Sequence, residues 1–229
     1  MSLSIAGAVV ASPDERATTA AWERLGVTLP VDVVPVDDGV DAGLVEVVLA
    51  TPDVAAAATL LGRRGLDVDG DLVTIAGVRW RLAEATTPDA AGPPPSGTLR
   101  RASAHSLRLD HVVVSATDAT RAAADYGARL GLDLRLDRDT GLGFRGLFFR
   151  CGDAVVEVVV PDAGEGADDR RDAYAGIAWR SNDLEAERAR LADAGVDVSE
   201  VRRGRKPGTV VATVRDPDLH VPTLLVGPA

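Results

Sequence analysis

Two residues in the second half of the chain have types suited to metal or proton chemistry. His111 opens the valine run of "LDHVVVSATD", and Glu157 stands in the middle of "AVVEVVVP". An imidazole at a strand edge can ligate a metal, exchange a proton near neutral pH, or simply act as a polar strand end. A carboxylate flanked by valines is expensive to ionise once buried, so it needs solvent, a cation or a raised pKa. Either residue could also partner the other, as a structural pair or for proton transfer without a metal.

Other candidates carry less. Cys151 sits in a turn, "CGD", with no histidine beside it in sequence and no reason to act as a nucleophile. No serine stands in a nucleophile-elbow sequence. "GLGFRG" has glycines but no following helix whose N-terminus could cradle a phosphate, so a nucleotide loop is rejected. "RRGRKPG" gathers Arg202, Arg203, Arg205 and Lys206 around a turn, which reads as a solvated hairpin tip or an anion-binding tip.

The elements that position these residues follow one grammar, used four times. The segments start "GAVVASPDERATTAAWERLG" at Gly7, "EVVLATPDVAAAATLLGRRG" at Glu46, "HVVVSATDATRAAADYGARLG" at His111 and "GIAWRSNDLEAERARLADAG" at Gly176. Each predicts a short strand, a turn, an aspartate that caps a helix, and a glycine that ends it. The aspartates are Asp14, Asp53, Asp118 and Asp183, and the stops are Gly26, Gly65, Gly131 and Gly195. Asp118 and Asp183 stand 65 residues apart, the spacing of a duplicated supersecondary unit.

After their helices the third and fourth segments each continue into three apolar stretches, predicting strand–helix–strand–strand–strand. The second is a compact version, and the first has room for one strand after its helix. Periodicity vanishes in "EATTPDAAGPPPSGTLRRASAHS". The organisation expected is therefore an abbreviated, degenerate domain over 1–87, a Pro/Gly/Ser-rich linker over 88–106, and a full domain over 107–229. Glu46 occupies the His111 position of the second unit and reads as a surface or pairing residue.

Composition narrows the partners. The formal net charge of −10 disfavours nucleic acid, whose backbone is bound by neutralising Lys and Arg. The apolar "SIAGAVVA" lacks a basic flank and is too short to span a bilayer, so no membrane partner is expected. One cysteine excludes an intrachain disulfide and suits a reducing cytoplasm, the expected location.

The paired units resemble the vicinal oxygen chelate superfamily, which includes glyoxalase I, bleomycin-resistance proteins, extradiol dioxygenases and methylmalonyl-CoA epimerase. "LDHVVVSATDATRAAADYGARLGLDL", "GDAVVEVVV", "GIAWRSNDLEAERARLADAGVDV" and "VRDPDLHVPTLLV" carry the resemblance. It implies an α+β fold of two similar domains, in which tandem βαβββ units form cup-shaped mixed sheets with helices packed outside. It also implies a small-molecule cup in residues 107–229, lined by His111, Glu157, Phe148, Trp179 and Thr223, and a homodimer is common in such proteins.

Where the family binds a metal, ligands come from the first and last strand of each unit. His111 and Glu157 match the first pair, whereas Gly176 and Thr223 stand at the other two positions. His220 could replace Thr223 only across a strand irregularity, for which Pro222 gives scope. The cofactor is therefore none, or one divalent ion on an incomplete ligand set. Two functions remain open: a metal-poor cup that sequesters a small molecule, or a divalent-metal-dependent lyase or isomerase of the glyoxalase and epimerase type using His111 and Glu157.

Overall fold

A computed structural model describes residues 1–37, 41–85, 107–141, 143–162 and 171–229. The expected linker, 88–106, lies outside the described residues. Two mixed sheets result. The first unit runs β1 (Ser4–Ser12), α1 (Glu15–Leu25), β2 (Val31–Pro35), and the second β3 (Gly43–Thr51), α2 (Val54–Arg63), β4 (Asp67–Asp69), β5 (Leu72–Ile75), β6 (Val78–Glu84). They share a six-stranded sheet ordered β2-β1-β3-β6-β5-β4.

The third unit runs β7 (Arg108–Ser115), α3 (Ala119–Ala122), β8 (Asp133–Asp139), β9 (Phe144–Cys151), β10 (Ala154–Pro161). Helix α3 continues directly as a π-helical stretch, Ala123–Arg129. The fourth runs β11 (Ala173–Arg180), α4 (Leu184–Asp193), β12 (Arg202–Arg203), β13 (Thr209–Val214), a 3-10 turn at Pro217–Leu219, and β14 (Thr223–Pro228). Together they form an eight-stranded sheet, β12-β13-β14-β11-β7-β10-β9-β8.

The repeated local grammar is realised in every unit. Asp14, Asp53, Asp118 and Asp183 accept backbone N–H bonds from Ala17, Ala56, Arg121 and Ala186, each three residues on. These bonds satisfy donors that the first helical turn cannot pair internally. Gly26, Gly65, Gly131 and Gly195 all take left-handed backbone, which lets the chain leave the helix without a Cβ clash. The "VDVSEVRR" strand, by contrast, shrinks to Arg202–Arg203 and a single Val198–Val214 bridge. Side chains pin the intervening backbone instead: Arg188 donates to the Ser199 carbonyl, and the Ser199 hydroxyl accepts from the Thr213 N–H.

Within each sheet, alternate strand residues face the helices. In the larger sheet Val112, Val114, Leu147, Phe149, Val156 and Val158 are fully buried on that side, a large apolar transfer that dominates the stability of the fold. Two helices also reach the other sheet. Trp22 of α1 meets Trp179 edge-on, and Tyr126 of the π-helical stretch meets Trp80 of β6. The two sheets consequently share one hydrophobic core. No helix among the described residues is long and apolar enough to cross a membrane.

Candidate functional site

Register decides what faces the open side of the larger sheet. β7 and β10 run parallel, with Val155 opposite His111 and Glu157 opposite Val113. β11 and β7 run antiparallel, with Ala178 opposite His111 and Gly176 opposite Val113. Paired residues point to the same face, so His111, Val113, Val155, Glu157, Gly176 and Ala178 line one surface. Phe148, opposite Glu157, joins them. Gly146, beside it on the same strand face, leaves room for the Phe148 ring: a Cβ there would lie 3.0 Å from it.

This surface is a cup. Arg205, beyond β12 at one edge of the sheet, lies over the ring of Phe144 in β9 at 5.3 Å, near the opposite edge. Only a strongly curled sheet brings those positions together.

At the cup floor, His111 and Glu157 converge, with Nε2 3.4 Å from Oε2 and side chains 17% and 19% exposed. The other imidazole nitrogen, Nδ1, lies 2.8 Å from the Asp110 carboxylate. Asp110 also pairs with Arg180, Nε to Oδ1 at 3.3 Å. The hydrogen bond from His111, reinforced by nearby positive charge, lowers the Asp110 pKa below the ordinary carboxylate value. Asp110 is therefore an acceptor, so Nδ1 carries a proton and Nε2 is aimed at Glu157.

Burial pushes the Glu157 pKa up, opposed by His111, Arg205 and Arg138 and reinforced by Asp110. The His111 and Glu157 side chains meet within reach of a shared proton, a pair suited to holding or passing it.

Asp110 is a functional candidate that strand alternation hides. Neighbours on a regular strand point to opposite faces. Here, however, Leu109 pairs with Trp179 and His111 with Ala178, which leaves Asp110 as an unpaired bulge residue. The bulge redirects its side chain to His111, a use of bulges common beside functional sites. The detectable signal in the sequence is only the adjacency of Asp and His.

Two expected cup residues are corrected. Thr223 pairs with Ile177 and is buried on the helix side, where its hydroxyl donates to the Val221 carbonyl. Leu224, opposite Ala178, takes the cup-facing position. Trp179 is fully buried against Trp22, because it follows cup-facing Ala178 on β11 and alternation turns it to the helix side. His220 caps the 3-10 turn in left-handed backbone, outside β14, with its carbonyl beside Gly43.

Glu46 is not at the surface: it is buried and paired with Arg79 and Arg81. The smaller sheet thereby carries an ion-pair cluster at the position that His111 holds in the larger one.

The donor set for a metal is correspondingly short. Of the four family positions, His111 and Glu157 offer donors, while Gly176 and Leu224 offer none. A Cβ on Gly176 would stand 2.9 Å from the Pro222 carbonyl oxygen, so backbone closes that position to any side chain. Among the described residues, no three His, Cys, Asp or Glu side chains are grouped so as to hold a metal ion. Two donors do not match the three or four that such centres use.

These features define a class: duplicated βαβββ units curled into a cup whose polar groups come from the first and last strands of a unit. Residues 110–213 match the family model described as Glyoxalase/Bleomycin resistance protein/Dioxygenase superfamily. Over this segment, a little under half of its length, the chain is similar to that superfamily.

Two solved structures share its fold over nearly the whole chain. A mutant of 4-hydroxymandelate synthase from Streptomyces coelicolor is 13% identical with a TM-score of 0.74, covering 98% of this chain and 92% of that one. A xylose isomerase-like TIM barrel/4-hydroxyphenylpyruvate dioxygenase fusion protein is 14% identical at TM-score 0.67, covering 98% of this chain and 48% of that one. Methylmalonyl-CoA epimerase from Mycobacterium tuberculosis is 26% identical at TM-score 0.45, covering 53% of this chain and 87% of that one. No curated protein matches the sequence.

Proposed function

We propose that the cup of residues 107–229 binds a small organic molecule, and that it does so without the full metal site of the family. One observation carries this reading: two of the four ligand positions hold donors, and Gly176 is closed by backbone contact with Pro222. Apolar walls from Val113, Val155, Phe148 and Leu224 surround the His111–Glu157 pair, the mixture of apolar surface and few polar groups typical of a ligand site. His111, oriented by Asp110, and Glu157 supply directional hydrogen bonds and a shared proton.

A second reading, a lyase or isomerase that uses a divalent ion, is favoured by the convergence of His111 Nε2 and Glu157 at 3.4 Å. Both readings place the protein in the cytoplasm, without nucleic acid or membrane as partner, and a homodimer suits either.

Metal analysis of protein purified without chelator, alongside His111→Ala, separates them. Substoichiometric metal in both proteins, with thermal stabilisation by an organic ligand that is lost in the variant, supports the binding cup. Stoichiometric metal that disappears in His111→Ala overturns it in favour of the second reading.

A further inference from the structure

The mouth of the cup carries positive charge that the described residues leave without carboxylate partners. Arg205 lies over the ring of Phe144, and Phe144 pairs with Pro161 on the cup-facing side of β9. Arg138 stands opposite Gly146 on the same side of edge strand β8. Both act electrostatically on Glu157, while Lys206 acts on Asp110. All three basic residues are exposed. The acidic groups they sense are already engaged: Glu157 with His111, and Asp110 with His111 and Arg180.

A guanidinium over an aromatic face is attracted to it while its N–H groups stay free to donate. Among the described residues, Arg205 donates no hydrogen bond and pairs with no carboxylate. This differs from Arg180, which is paired with Asp110, and from Arg145, which is paired with Asp137.

Resting on the cup reading above, we infer that the ligand is an organic anion. Its carboxylate or phosphate is gripped by the fork of Arg205, with Arg138 and Lys206 adding charge, while its apolar body lies against Phe148, Val155 and Leu224. A planar guanidinium matches either oxyanion with two parallel N–H bonds. The apolar walls face the body of such a ligand, and the basic rim faces its charge.

The test titrates the full-length protein at low salt with benzoate, phenyl phosphate and the uncharged isostere benzamide, by calorimetry and by the NMR signals of the His111 ring. Expected is binding of benzoate or phenyl phosphate that moves the His111 signals, weakens with added salt, and exceeds benzamide by about tenfold or more. Arg205→Ala removes that preference and Arg205→Lys restores part of it. Preference between the two acids distinguishes a carboxylate from a phosphate ligand.

Benzamide binding as tightly as benzoate, with the His111 signals moving, overturns the anion inference and leaves the cup reading intact. Binding that depends on Arg205 but leaves the His111 signals still places the anion outside the cup and overturns the cup reading. No binding by any of the three probes overturns the inference.

Discussion

Gly176 is where the geometry makes its sharpest demand. In Gly176→Ala, the new Cβ would lie 2.9 Å from the Pro222 carbonyl oxygen, shorter than ordinary carbon–oxygen contacts. That oxygen is not free to retreat, because it accepts the Ile177 N–H at 3.0 Å and so ties β11 to the start of β14. Relief requires moving backbone, an overpacking change that costs about 1–3 kcal/mol. The stiffer unfolded chain offsets about 0.4–1 kcal/mol of this.

A net loss of about 1–2 kcal/mol lowers the melting temperature by roughly 2–8 °C for a chain of this size. Gly62→Ala is the internal control. Gly62 lies within α2, and a Cβ there meets nothing within 4 Å, so alanine should stabilise by about 0.5–1 kcal/mol. Differential scanning calorimetry of the two variants should give opposite signs. A Gly176→Ala protein as stable as the parent, beside a stabilised Gly62→Ala protein, would refute the claim that backbone closes the third ligand position.

Three further expectations follow from the same geometry. Glu157→Gln should gain stability relative to the parent as pH rises. Burial raises the folded-state pKa of Glu157, so its favourable contribution is complete below the unfolded carboxylate range and declines as pH rises through the folded value. Melting temperatures of both proteins from about pH 4 to pH 8 check the sign, and a constant gap would contradict it. Glu46→Ala should destabilise by about 1–2 kcal/mol: the cost of losing charged hydrogen bonds is reduced because Arg79 and Arg81 are partly exposed and rehydrate. Denaturant unfolding measures it, and a neutral result would show that the cluster contributes nothing net. The Cys151 thiol is buried and its pKa is pushed up to about 12, so an aromatic disulfide reagent should label it only after unfolding; rapid native labelling would contradict its burial.

The legible and illegible parts of the fold divide along particular residues. His111, Glu157 and Phe148 face the cup as their alternation and family resemblance imply. Trp179 does not, because it stands three residues after Gly176 and alternation along β11 turns it to the helix side; Thr223 does not, because β14 starts on that same side, opposite Ile177. Between Leu109 and His111 the pairing with β11 gains one residue, and a matching shift falls between Tyr174 and Gly176. A one-residue slip exchanges the faces of everything that follows. The same slip creates the Asp110–His111 contact. "RRGRKPG" was recognisable as a basic turn, but the placement of Arg205 over Phe144 depends on the curl of the whole sheet.

The sequence by itself determined the repeating strand–helix units, their aspartate caps and glycine stops, and the chemical types available to the cup. Those features rest on hydrogen bonds and backbone preferences acting over three or four residues, so composition and spacing are enough to encode them. Only the tertiary structure decided which donors meet, that Gly176 is sealed by Pro222, that Glu46 is paired with arginines, and that a basic hairpin overhangs the acidic floor. Each of these depends on strand register and sheet curvature, which are set by packing between segments tens of residues apart.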